Sequence, residues 1–216
     1  MLLAIDIGNT NVVVGLFEGR ELKAEFRVKT DIRRTRDEYG ILLAAFLRER
    51  FGATKIIERA AVCSVVPPVT PLFCGLIQEQ FETTPLVVGP GIKTGISIRT
   101  LQPAAVGADR VANAVALKHY YGLPGLAIDF GTATSFDYVD AKAEYLGGVI
   151  LAGAEISLEA LVKNTAKLPR IEMIWPPTVL VRDTVAAMQA VAVIGYHCMV
   201  EGLIEKLIDE VGSISK

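Results

Sequence analysis

Two short segments of this chain carry the same grammar. Asp6-Ile7-Gly8-Asn9-Thr10 and Asp129-Phe130-Gly131-Thr132-Ala133 each close an apolar run with Asp-x-Gly and a small hydroxyl residue, then lead into a second apolar run. Glycine at such a turn lets backbone N–H groups approach phosphate oxygens without a Cβ in the way. Asn9, Thr10 and Asn11 add short donors to the first turn. A carboxylate cannot touch a phosphate directly, because like charges repel. It needs a cation between them, usually Mg²⁺ through water. A carboxylate in each copy therefore fits a nucleotide bound between two related lobes. A third segment, Gly107-Ala108-Asp109-Arg110, opens a helical stretch. Asp109 there can accept a proton from a substrate hydroxyl, and Arg110 can clamp a substrate carboxylate in a bidentate way. Taken alone, that tetrapeptide reads more readily as a helix cap and its ion pair.

The elements that must hold these segments follow from periodicity. Leu2 to Asp6, Asn11 to Phe17 and Leu22 to Val28 read as three strands of a meander. A helix is expected from Asp37 to Phe51, with Ile41, Leu42, Ala45 and Phe46 on its apolar stripe. Ile57 to Val66 reads as a buried strand ended by Pro67-Pro68, Thr70 to Phe81 as a helix and Pro85 to Val88 as a strand. Residues 107–121 form the next helix, stopped at Gly122. The opening pattern then repeats: strands at Gly125 to Asp129, Thr134 to Val139 and Glu144 to Leu151, and a helix from Glu155 to Thr165. A long helix from Asp183 to Glu210 is apolar on more than one side and calls for two partners.

Composition narrows the classes. A net charge of −2 over 216 residues gives no pull toward nucleic acid or anionic lipid. Hydrophobic residues make up 51% of the chain and mean hydropathy is +0.42, so apolar side chains are left over for a subunit interface. No uninterrupted apolar run reaches the roughly 18 residues of a membrane span, and no basic segment precedes the first strand. Cys63, Cys74 and Cys198 form no CxxC pair and read as small core residues of a reducing compartment. His119 and His197 are isolated and make no metal site. A cytoplasmic protein without membrane or nucleic-acid partners is expected. Arg33, Arg34 and Arg36 read either as a solvated turn or as a lure for anions, and Trp175-Pro176-Pro177 as a rigid connector.

Longer stretches resemble one family. DIGNTNVVVGLF (6–17), TRDEYGILL (35–43), SVVPPVT (64–70), VVGPGIKTGI (87–96), VGADRVANAVA (106–116), IDFGTATSFD (128–137), YLGGVILAG (145–153) and DTVAAMQ (183–189) stand in the order found in type III pantothenate kinases, members of the acetate and sugar kinase/Hsp70/actin superfamily. The resemblance implies an α/β fold of two actin-like (RNase H-like) βββαβα lobes, residues 1–112 and 113–216, with a nucleotide cleft between them. It implies phosphorylation of pantothenate by ATP with Mg²⁺, the first step of coenzyme A synthesis. Carried over residue by residue, the ATP phosphate motif falls on Asp6, Ile7, Gly8, Asn9, Thr10, Asn11, Val12 and Val13, and a second ATP contact on Thr132. The substrate segment falls on Gly107, Ala108, Asp109 and Arg110, with Asp109 as proton acceptor. A monovalent cation, K⁺ or NH₄⁺, falls on Asp129, and a pantothenate contact across a homodimer interface on Thr184.

The match departs from the family in three places. Thr100 stands where the family has a substrate-side tyrosine, and Val181-Arg182-Asp183 replaces Gly-Lys-Asn before Thr184. The family also continues past the long helix with a further strand, turn and helix, so the second lobe is expected to be incomplete. These departures support an alternative: a catalytically impaired paralogue that binds ATP and acts as a dimeric sensor or regulatory protein.

Overall fold

The computed structural model describes residues 1–52 and 57–212. Contacts divide the chain into two units, one of Met1–Gly95 with Leu101–Val115, the other of Ile96–Thr100 with Ala116 onward.

The first unit is built on a sheet ordered β3-β2-β1-β4-β5 among the described residues. Its strands are β1 (Leu2–Ile7), β2 (Asn11–Glu18), β3 (Glu21–Lys29), β4 (Arg59–Ser64) and β5 (Leu86–Val87). The first three are antiparallel neighbours, as the alternation predicts, and β4 joins β1 in parallel. Strict alternation sends Leu3, Ile5 and Ile7 of β1, and Val12, Val14 and Leu16 of β2, into one core. Each such fully buried side chain stabilises the fold by roughly 1.5–3 kcal/mol. Asp6 is left on the opposite face, exposed at the strand end.

Helices α1 (Arg36–Phe51) and α2 (Thr70–Phe81) cover the core. A capping box starts α1: Glu38 N–H donates to the Thr35 hydroxyl, and the Glu38 carboxylate accepts from Thr35 N–H. The buried stripe of α1 is Tyr39, Leu43, Phe46 and Leu47; of the expected stripe Phe46 is buried, whereas Ile41 is 70% exposed. Gly40 explains the rotation. A Cβ there would lie 2.9 Å from Gln80 Nε2 and 3.2 Å from Leu76 Cδ1, so α1 meets α2 through the glycine. The arginine cluster is taken up locally. Arg33 pairs with Asp31, Arg36 with Glu79, and Arg34 lies over the Tyr39 ring.

The second unit carries a sheet ordered β6-β9-β8-β7, with β6 (Ser97–Ile98), β7 (Gly125–Phe130), β8 (Ala133–Val139) and β9 (Glu144–Ala152). Strands β7, β8 and β9 repeat the antiparallel meander. The short β6 was not expected. It pairs in parallel with β9, Ser97 beside Glu144, and Arg99 holds the Glu144 carboxylate at 2.7 Å. From Thr134 to Val139 every residue of β8 is buried. Asp137 on it is fully buried and accepts hydrogen bonds from Ser135 Oγ (3.0 Å) and the Tyr145 hydroxyl (2.6 Å).

Helix α3 (Ala108–Ala116) continues as a π-helical turn, Leu117–Tyr121, and α4 (Ala154–Lys163) follows β9. The final helix is continuous over Thr184–Val211, as α5 (Thr184–Gln189), a π-helical segment (Ala190–Gly195) and α6 (Tyr196–Val211). It is long and apolar enough to cross a membrane by length and composition only, although Gln189, His197 and Glu201 interrupt its apolar run. Val191, Met199 and Ile208 on it are exposed. Cys198 is exposed too, contrary to the expectation of three core cysteines. Trp175 packs edge-on to His197 yet stays 62% exposed.

Candidate active site

In the first unit the chemistry gathers at the ends of β1 and β4. Asp6 lies beside Cys63 in register on the neighbouring parallel strand, so both side chains leave the same face of the sheet. The turn after Asp6 is closed by Gly8 N–H donating to the Asn11 carbonyl at 3.0 Å. A Cβ on Gly8 would lie 3.2 Å from that same carbonyl oxygen. Asp109 stands in the first turn of α3, where helix dipole and free N–H groups favour negative charge. Its Oδ1 accepts from Arg110 N–H at 2.8 Å. Gly107 makes room for it: a Cβ at Gly107 would lie 2.4 Å from Asp109 Oδ1 and 3.6 Å from Val65 Cγ1, just beyond the end of β4. Val65 and Gly107 thereby tie the start of α3 to the strand that carries Cys63.

The Cys63 thiol registers both carboxylates. Burial, with the Asp6 and Asp109 charges beside it and a hydrogen bond to Asp6, pushes it from 9.0 up to about 12. A raised thiol favours folding while the thiol stays protonated. This contribution is whole below 9.0 and is lost as pH rises toward about 12. The thiol is therefore inert at neutral pH. In the folded protein at about pH 8, iodoacetamide is expected to label the exposed Cys198 and spare Cys63, as read by peptide mass spectrometry. Equal labelling of the two would contradict the arrangement.

The second unit holds the other set. Asp129 and Thr132 are exposed at the β7–β8 turn. This turn is one residue tighter than the first: Phe130 faces Thr134, whereas Ile7 faces Val12. Gly131 N–H donates to the Ala133 carbonyl at 3.1 Å, and the Thr132 carbonyl accepts from Gly153 N–H at 2.9 Å. Gly153 is the N-cap of α4, and it approaches the turn so closely that a Cβ would fall 2.2 Å from the Gly131 carbonyl oxygen. Thr184 begins α5, exposed, after Asp183 caps the helix by accepting from Ala186 N–H at 2.9 Å. The Thr100 hydroxyl oxygen is buried without a hydrogen-bond partner among the described residues. Among those residues no three of His, Cys, Asp or Glu cluster as a metal cage.

Sequence reasoning missed Cys63 and Gly153. Neither carries a local signal, because each matters through a partner distant in the chain.

The family model for type III pantothenate kinase matches residues 2–206. This chain belongs to the type III pantothenate kinase family. Among curated type III pantothenate kinases, that of Moorella thermoacetica is 46% identical over 212 residues, covering 98% of this chain and 84% of the relative. That of Myxococcus xanthus is 48% identical over 214 residues, covering 98% and 83%. A solved Campylobacter jejuni structure described as a Baf family transcriptional activator superposes with a TM-score of 0.56 at 18% identity, over 93% of this chain and 78% of its own. That likeness concerns the fold alone. The Asp-x-Gly turns, Gly107–Arg110 and Thr184 all lie within the span matched by the pantothenate kinase model.

Proposed function

We propose that this pantothenate kinase transfers the γ-phosphoryl group of ATP to the primary hydroxyl of pantothenate, opening coenzyme A biosynthesis. The observation that carries the reading is family membership over nearly the whole chain at 44–48% identity. The convergence of Asp6 and Asp109 on Cys63 supports it.

Phosphoryl transfer passes through a loose transition state, so positioning and charge neutralisation do most of the work. The turn from Asp6 to Val13 offers N–H groups and short side chains to the phosphates, and Thr132 adds a second contact. Asp6, exposed at a strand end, fits a magnesium ion that arrives with ATP, since that ion takes one or two carboxylates and completes its shell with phosphate and water. Once bound, magnesium would neutralise charge developing on the phosphates. Asp109 accepts the hydroxyl proton late, as bond formation makes the hydroxyl acidic. Arg110, next to it, holds the pantothenate carboxylate. Asp129, an exposed carboxylate of oxygen donors, fits potassium or ammonium. Thr184 and the exposed apolar side chains of the last helix fit a homodimer in which Thr184 reaches the neighbour's substrate.

The test is a coupled ADP-release assay with Mg-ATP, with and without pantothenate, in potassium and in sodium. ADP release that needs pantothenate and is faster in potassium is the expected result. The same preparation, sedimented at micromolar concentration, should run as a dimer, and a monomer would remove Thr184 from the neighbour's site. Nucleotide binding without pantothenate-dependent turnover would transfer the assignment to an ATP-binding regulatory paralogue.

A further inference from the structure

Thr30 follows β3, half-buried behind the first turn. Its hydroxyl donates to the Gly8 carbonyl at 2.7 Å, and its N–H donates to the Thr10 carbonyl at 2.9 Å. One residue thus holds two carbonyls of the turn. The Gly8–Asn9 and Thr10–Asn11 peptides are trans, because Leu123-Pro124 is the cis bond found among the described residues. In a planar trans peptide, C=O and N–H point in opposite directions. With both carbonyls drawn toward Thr30, the N–H groups of Asn9 and Asn11 are turned away from it. The sign of the turn's field depends on this. A rotated peptide would present a carbonyl oxygen, which repels a phosphate, where it now presents a donor.

The second turn uses the backbone for a related purpose, with Gly153 N–H holding the Thr132 carbonyl. At the first turn a side chain does it, so it can be removed by substitution.

We propose that Thr30 is a positioning residue for the nucleotide phosphates, orienting the Asn9 and Asn11 N–H groups toward them by anchoring the Gly8 and Thr10 carbonyls. The inference rests on the phosphate-binding reading of that turn given above.

Thr30→Val keeps the β-branched shape and removes the hydroxyl, and Thr30→Ser keeps the hydroxyl. Calorimetry with the magnesium complex of adenylyl imidodiphosphate reads binding without turnover, and steady-state kinetics reads KM for each substrate. Thr30→Val is expected to weaken the analogue and raise KM for Mg-ATP roughly five- to tenfold, with KM for pantothenate within about twofold of wild type. Thr30→Ser should restore wild-type affinity to within about twofold. Thr30→Ala, which removes the hydroxyl without adding bulk, should give the same ratio as valine. Unchanged affinity in Thr30→Val and Thr30→Ala overturns the proposal, as does an equal loss for both substrates. A wild-type chain that binds the analogue but does not turn over pantothenate, while Thr30→Val still binds less tightly, leaves Thr30 in its role and removes the kinase reading. A wild-type chain that binds no analogue overturns both.

Discussion

Replacing Asp109 with asparagine lowers the rate of pantothenate phosphorylation by about a hundred- to ten-thousandfold and leaves Mg-ATP affinity within about threefold. The two side chains share a shape. The asparagine carbonyl can still accept from Arg110 N–H, the bond that Asp109 Oδ1 makes at 2.8 Å. It also fits the space left by Gly107, which an added Cβ would invade to within 2.4 Å. What is lost is the capacity to take a proton, needed only as the hydroxyl attacks. An interaction confined to the transition state lowers kcat and kcat/KM alike. Steady-state kinetics beside calorimetry on the same variant separates this from a binding defect. A variant within about tenfold of the wild-type rate would dismiss Asp109 as the proton acceptor.

Gly153→Ala is expected to be the most disruptive single methyl in the second unit. The new Cβ would sit 2.2 Å from the Gly131 carbonyl oxygen and 2.7 Å from that of Thr132. Both are backbone atoms at a tight turn, so no side chain can swing aside. The backbone angles at Gly153, φ −61° and ψ 160°, suit alanine, so the cost is steric. Overpacking of this kind destabilises by about 3 kcal/mol. Relief requires α4 to draw back, which breaks the Gly153 N–H bond to the Thr132 carbonyl. A lowered midpoint in urea with a raised KM for Mg-ATP is the expected pair of results. Gly202→Ala on α6 is the control. A Cβ there meets nothing within 4 Å, and alanine favours helix, so stability should hold or rise. Equal behaviour of the two variants would mean that α4 does not press on the turn.

The strands were legible because their burial alternates with a simple period. Leu3, Ile5 and Ile7 announce β1 and leave Asp6 on the other face without further information. Helix α2 ends where its apolar pattern ends, at Phe81. The stripe of α1 was legible only in part, because hydrophobicity marks Ile41 while close approach at Gly40 decides which side is covered. Strand β6 has two residues and a partner far along the chain, so no local pattern marks it. At the candidate site, Asp6, Asp109 and Asp129 were visible as carboxylates beside glycines and a helix start. Cys63 and Thr30 were not. Cys63 enters through parallel pairing with Asp6, and Thr30 through two hydrogen bonds to a turn more than a strand away. The π-helical segment of the last helix also escaped notice, since its residues, Ala190 to Gly195, are ordinary helix-compatible ones.

The single-residue difference between the two hairpin turns keeps the two halves of this chain from trading parts. A residue inserted between Gly131 and Ala133 that passed into the ladder instead of lengthening the turn would shift β8 against β7 by one position. Side chains alternate along a strand, so each would change faces. Asp137 would part from the Tyr145 hydroxyl that now donates to it and move to the face that Phe136 and Tyr138 occupy. A carboxylate now satisfied in the interior would be set among aromatic neighbours. If the halves arose by duplication, an exchange between them through these hairpins would join strands across a turn of a different length.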